Sequence, residues 1–143
     1  DRYDVALLVD SDAVIMNFTQ NALDLLPKGF AMAAHKEHPW TPYWTWEINN
    51  GVMLWDLRHP HVRTIVDQWE QRCVTKLRDR GRGVSDQGPL RHGLQKDYTE
   101  AERKQHKIIW GLPTDHFQPR NGTFVRHFIR LMHGVDPQWS EAN

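Results

Sequence analysis

Val5-Ala6-Leu7-Leu8-Val9 is an unbroken apolar run, and it stops at Asp10-Ser11-Asp12. A short run of this kind, bounded by polar residues, predicts a strand buried on both faces, as in a parallel sheet. The two carboxylates then stand at the strand's carboxyl end, where ligands of such sheets gather. Two acids this close repel each other unless a positive charge lies nearby. A divalent cation with phosphate oxygens meets that need, because Mg²⁺ and Mn²⁺ take oxygen ligands and keep positions open for phosphate. The bland alternative is a pair of exposed loop aspartates or a helix cap.

The rest of the chain alternates strand and helix signals. Asn17 to Leu26 reads as a short helix closed by Pro27 and Gly29, and Phe30 to Ala34 as another buried strand. His35 to Trp46 carries Pro39, Pro42, Trp40, Trp44 and Trp46 and reads as a loop. Gly51 to Trp55 is a second strong strand. Val62, Ile65, Val66, Trp69, Cys73 and Leu77 recur at three- and four-residue steps and predict an amphipathic helix over about 60–79. Ser85 is placed to cap a helix through Leu94, residues 96–107 read as a solvated charged face, Ile108 to Trp110 as a strand, and Phe124 to Phe128 as a strand or a helix start. This alternation predicts an α/β layering with a mostly parallel sheet flanked by helices.

Composition narrows the classes. A length of 143 residues fits a single domain over 1–143. Lys plus Arg and Asp plus Glu both number 18, so the basic excess of a generic nucleic-acid binder is missing and no nucleic acid is expected as partner. No apolar run approaches the roughly 18 residues of a membrane span, and the lone Cys73 excludes an internal disulfide framework. Seven tryptophans are many for this length, and flat aromatic faces suit sugars or bases, although most tryptophans fill cores. The chain opens on Asp1-Arg2-Tyr3-Asp4 without a Met or a signal peptide, so any targeting segment is expected upstream.

Two families share the acidic pattern. Asp10-Ser11-Asp12-Ala13-Val14 resembles the opening motif of haloacid-dehalogenase-like phosphatases, in which the first Asp is the nucleophile. That family also needs a late acidic pair after an apolar strand, and here Ile108-Ile109-Trp110 runs into Gly111. Leu8-Val9-Asp10-Ser11-Asp12-Ala13 equally resembles the Asp-x-Asp of metal-dependent GT-A glycosyltransferases, and more follows in order. Asn49-Asn50-Gly51-Val52 looks like the Asn-x-Gly-Val segment beside their sugar pocket, although by itself it reads as a tight turn. Val84-Ser85-Asp86-Gln87 resembles their Asp-Gln segment at a helix start, where an acid is also simply favourable as a cap. Phe124-Val125-Arg126-His127-Phe128 and His133-Gly134 each resemble the context of their late histidine ligand. The resemblance spans about residues 3 to 134 and lies nearest the galactosyl-, xylosyl- and mannosyltransferase-like groups.

The resemblance implies a GT-A-like, Rossmann-like fold, incomplete at its N-terminus: the family's base-binding βαβ segment precedes the acidic pair, and only Asp1 to Asp4 precede the strand here. It implies transfer of a sugar from a nucleotide diphosphate to the hydroxyl of a glycan or glycoprotein acceptor. Mn²⁺, or Mg²⁺, would be held by Asp10, Asp12 and either His127 or His133. Asp86 would orient the sugar or act as the acceptor's base, and Asn49, Asn50, Gly51 and Gln87 would line the sugar pocket. Trp44 or Trp46 would offer a stacking face, and Arg126 would pair with phosphate. The sequons Asn17-Phe18-Thr19 and Asn121-Gly122-Thr123 agree with a Golgi or secretory-lumen setting, the membrane being reached only through an N-terminal anchor outside this sequence. A catalytically inactive, carbohydrate-binding remnant is the remaining alternative.

Overall fold

The computed structural model describes residues 3–11, 13–80, 85–112 and 125–127. Its centre is a four-stranded mixed sheet in the order β1 (Val5–Val9), β4 (Ile48–Asp56), β3 (Met32–Lys36), β5 (Ile109–Leu112). β4 runs antiparallel to both neighbours, and β3 pairs parallel with β5. Three strands therefore point one way and the reversed β4 lies between two of them. The molecule is α/β as predicted, but two of the three strand pairings in this sheet are antiparallel. A second, two-stranded antiparallel sheet joins β2 (Ala13–Ile15) to β6 (Val125–His127).

The sheet is covered on both faces. On one, Met53 and Trp55 of β4 and Met32 and Ala34 of β3 pack with Val62 and Ile65 of α1 (Val62–Arg80) and with Leu90 and Leu94 of α2 (Gln87–Lys96). On the other, Val52, Leu54, Ala33 and Leu112 meet Val125 of β6 and Leu25, which lies in a 3₁₀ turn over Ala22–Leu25. β4 sits between these layers, which is why its stretch from Gly51 to Trp55 is free of polar side chains. β1 ends the sheet. Its expected burial on both faces is not found: Leu7, Leu8 and Val9 are 37–39% exposed. The amphipathic helix outlasts its bed as well. Val62 and Ile65 are buried, whereas Val74 and Leu77 near its end are exposed.

The charged stretch 96–107 is not only a solvated face. It holds a further helix, α3 (Glu100–Gln105), opened by a reciprocal capping box between Thr99 and Glu102. Within it Arg103 is buried. Its guanidinium donates to the carbonyls of Leu94, Tyr98 and Trp44, so a buried charge keeps partners on three separate stretches of chain. The predicted helix over Asn17 to Leu26 shrinks to the 3₁₀ turn. Asn17 is instead engaged in a local turn, its Oδ1 accepting from the backbone N–H and hydroxyl of Thr19.

Candidate functional site

β4 is irregular where it matters. Its pairing with β3 runs from Met32–Trp55 to Ala34–Met53 and resumes at His35–Asn49, so the register skips residues 50–52. Such bulges bend a strand and re-aim its side chains. The sequence supplies the cause: Asn49 Oδ1 accepts the N–H of Gly51 at 2.8 Å, a local bond that competes with the ladder. On its other edge the same segment stays tied to β1, since the N–H of Asp10 donates to the Gly51 carbonyl at 2.8 Å. Asn49-Asn50-Gly51 is therefore a bent strand segment beside Asp10 and not the tight turn its residues suggest in isolation.

Asp10 and Asn50 open onto a cavity of about 350 Å³ that Asp86 also lines, together with Leu8, Met53 and Trp69. Asn50 is only 7% exposed, so its amide serves this cavity and its buried neighbours. Asp86 occupies the N-cap position of α2, yet its side chain makes no capping hydrogen bond. Its charge still suits the helix N-terminus, but its oxygens are not engaged in a capping bond. Its backbone is held from α1, where Trp69 stacks on Trp55 at 6.3 Å and donates its indole N–H to the Asp86 carbonyl at 2.8 Å.

Gln87 stands beside them. Its amide satisfies its surroundings in one orientation, with the NH₂ donating to Asn50 Oδ1 at 3.1 Å and the oxygen accepting from Arg91 Nη2 at 2.5 Å. Arg91 is itself fixed by Glu37 at 2.7 Å and by the carbonyl of Ile48 at 2.7 Å. Asp10, Asn50 and the adjacent Asp86 and Gln87, three places far apart in sequence, thus share one corner of the molecule. Trp69 and Arg91 were not expected there. Arg91 had a signal, since it follows Gln87 by one helical turn; nothing in the sequence marks Trp69 apart from the other residues of its helical stripe.

The remaining expectations fall in different places. Trp46 is packed, partly buried, against the helix-side core, and Trp44 lies under Lys104, whose Nζ is 3.9 Å from the ring centroid. β6 pairs Arg126 with Val14 and His127 with Ala13. His127 therefore joins the strand that directly follows Asp12, and Ala13 in turn donates its N–H to the Asp10 carbonyl at 3.0 Å. Asp12, His133 and the sequon at Asn121 lie outside the described residues. No group of three or more His, Cys, Asp or Glu side chains is gathered to hold an ion among the described residues, which leaves out Asp12 and the side chain of His127. No described helix is long and apolar enough to cross a membrane.

Comparison with protein-family models, with curated proteins and with solved structures found no match for this chain.

Proposed function

We propose that this chain carries the metal-diphosphate and acceptor side of a GT-A-type glycosyltransferase site, moving a sugar from a nucleotide-diphosphate donor to a hydroxyl of a glycan or glycoprotein. The observation that carries the reading is the shared cavity of Asp10, Asn50 and Asp86. Each was singled out through a different motif, and the fold brings the three motifs to one place. A solvated loop acid, a turn asparagine and a capping aspartate have no reason to converge.

Asp10 and Asp86 both line this cavity, and carboxylates are the donor type that Mn²⁺ and Mg²⁺ take, so these residue types fit such an ion. In the proposal Asp10, Asp12 and His127 hold it; the pairing of β6 with the strand after Asp12 favours His127 over His133. Bound there, the ion would supply Lewis-acid stabilisation of charge on the departing diphosphate. The chain's own groups do the rest. Asp86 accepts the proton of an acceptor hydroxyl or holds the donor sugar in place. Asn50 and Gln87 bond sugar hydroxyls, and Arg91 keeps Gln87 from rotating away. The Golgi or another secretory lumen is the proposed setting, and the local turn at the sequon Asn17 to Thr19, with Phe18 85% exposed, is open to the modification such a lumen performs.

Calorimetric titration of UDP and GDP, with and without Mn²⁺, tests the reading. Binding is expected only with Mn²⁺ and at least tenfold weaker in Asp10→Ala and in Asp12→Ala. Metal-independent binding, or binding indifferent to both substitutions, would overturn it.

A further inference from the structure

The loop between β3 and β4 is built with unusual care for a surface connection. Its base is closed by the N–H of Glu37 on the Glu47 carbonyl at 2.9 Å. Lys36 Nζ reaches inward to the carbonyls of Pro39 and Thr41 at 3.0 and 2.8 Å, and the Thr41 hydroxyl bonds the His38 carbonyl at 2.8 Å. From outside, Gly111 donates to the Tyr43 carbonyl at 2.6 Å, and Arg103 donates to the Trp44 carbonyl at 3.1 Å. Loops held at so many points do not wander.

What this frame presents is Trp40. Trp40 is 78% exposed, the most exposed of the described tryptophans. One ring face lies flat on His38, with centroids 4.8 Å apart and planes 7° apart, so the indole is already oriented and only its outer face is open. Of the loop's other aromatic side chains, Tyr43 packs against Phe30, Trp110 and Trp44, and Trp46 packs on the helix-side core. Exposure of one apolar ring is common on surfaces, but here the ring is also oriented in advance, so a flat ligand would meet it without first ordering the loop. The charged residues that flank it are committed elsewhere, Lys36 to carbonyls and Glu37 to Arg91. A phosphorylated ligand would find no cation offered by these residues; a neutral ring with a C–H face would find a flat partner. The loop also touches the candidate site at its root. Glu37 pairs with Arg91, which holds Gln87, which holds Asn50, and the strand leaving the loop is the one that carries Asn49 and Asn50.

From this we infer that Trp40 is the stacking platform of a sugar subsite, and that its occupant is a neutral pyranose ring of the acceptor glycan, held flat against the outer indole face. Stacking flat rings on an aromatic side chain is worth roughly tenfold or more in affinity in proteins that bind single-stranded nucleic acid, and a pyranose C–H face uses the same surface. The name acceptor rests on the transferase reading; the sugar platform does not.

Saturation-transfer NMR on the whole chain, with methyl β-galactoside, methyl β-xyloside and methyl α-mannoside as probes and neither metal nor nucleotide added, tests the inference apart from the metal site. At least one probe should receive saturation on the C–H protons of a single ring face. Its affinity should fall about tenfold in Trp40→Ala and recover in large part in Trp40→Phe, which keeps a flat ring. Transfer to none of the three overturns the inference, as does equal transfer in wild type and Trp40→Ala. Displacement of the sugar from Trp40 by uridine overturns the choice of a sugar over a base. Should Mn²⁺-dependent nucleotide binding fail while the Trp40 signal persists, the transferase reading falls and the sugar platform stands.

Discussion

β1 and β4 are both apolar strands next to polar residues of the candidate site, and the molecule treats them differently. Leu7 and Leu54 are cross-strand partners on the same face of the sheet. Leu54 is fully buried and Leu7 is 37% exposed. The difference lies in what flanks each strand. β4 has β1 and β3 beside it and packed side chains above and below, whereas among the described residues β1 has β4 on one side only. An apolar run says that a segment pairs and packs; how many neighbours it gains is decided by residues far away in sequence.

The strongest way to break this comparison is to truncate both partners. Leu54→Ala leaves a cavity in a two-sided core and should cost about 2–5 kcal/mol. Leu7→Ala should cost under about 1 kcal/mol, as expected where much of the side chain already meets water. Urea denaturation of the two variants measures both, and equal losses would mean that β1 is covered in solution. A smaller effect sharpens the role of β3, the neighbour that β1 lacks. A Cβ on Gly111 of β5 would stand 2.5 Å from Lys36 Cγ and 3.1 Å from the Tyr43 carbonyl. Gly111→Ala must push both, and should cost about 1–3 kcal/mol in thermal unfolding.

The smallest effect comes at the corner that carries β4 into α1. The backbone N–H of His61 points at His59 Nδ1 at 3.3 Å, so Nδ1 accepts and the ring's proton sits on Nε2, which donates to the His106 carbonyl at 3.1 Å. Burial lowers the pKa of His59 below its ordinary value, outweighing the His106 carbonyl and Asp56, which favour the charge; His61 and His106 add repulsion. The unfolded chain thus takes up this proton before the folded one. Stability from the neutral ring is complete above the ordinary value of about 6.5 and is lost as pH falls through the lower folded value. The thermal midpoint should drop between pH 7 and 5, and the drop should shrink in His59→Asn, whose amide oxygen keeps an acceptor near the Nδ1 position.

Much of this fold was legible locally. The apolar runs of β1 and β4 and the stripe of α1 announce themselves, because each element needs only its own residues to show a period. α3 was legible too, through Thr99 and Glu102 three residues apart, but the surrounding charges concealed it. Other features needed the third dimension. The bulge at residues 50–52 depends on pairing with two strands at once. Trp40, Trp44 and Trp46 look alike in sequence, and only packing decides that Trp46 joins the core, that Trp44 lies under Lys104, and that Trp40 faces water. The candidate site was legible as residues and not as an arrangement: Asp10, Asn50, Asp86 and Gln87 could be named from their motifs, whereas Trp69 and Arg91, which hold them, emerged only from contacts.

Arg103 carries a consequence for how the molecule comes apart. Its one guanidinium serves the end of α2, the turn at Tyr98 and the far side of the Trp40 loop. Peeling any one of these segments away strips a buried cation of a partner, a penalty borne jointly by the other two. The three stretches are therefore expected to open as one cooperative unit, their amides exchanging at a common rate although the Trp44 stretch lies about fifty residues from the other two. Lysine in place of Arg103 would supply the charge without the planar fork that reaches all three, and the unit would divide into independently fluctuating parts.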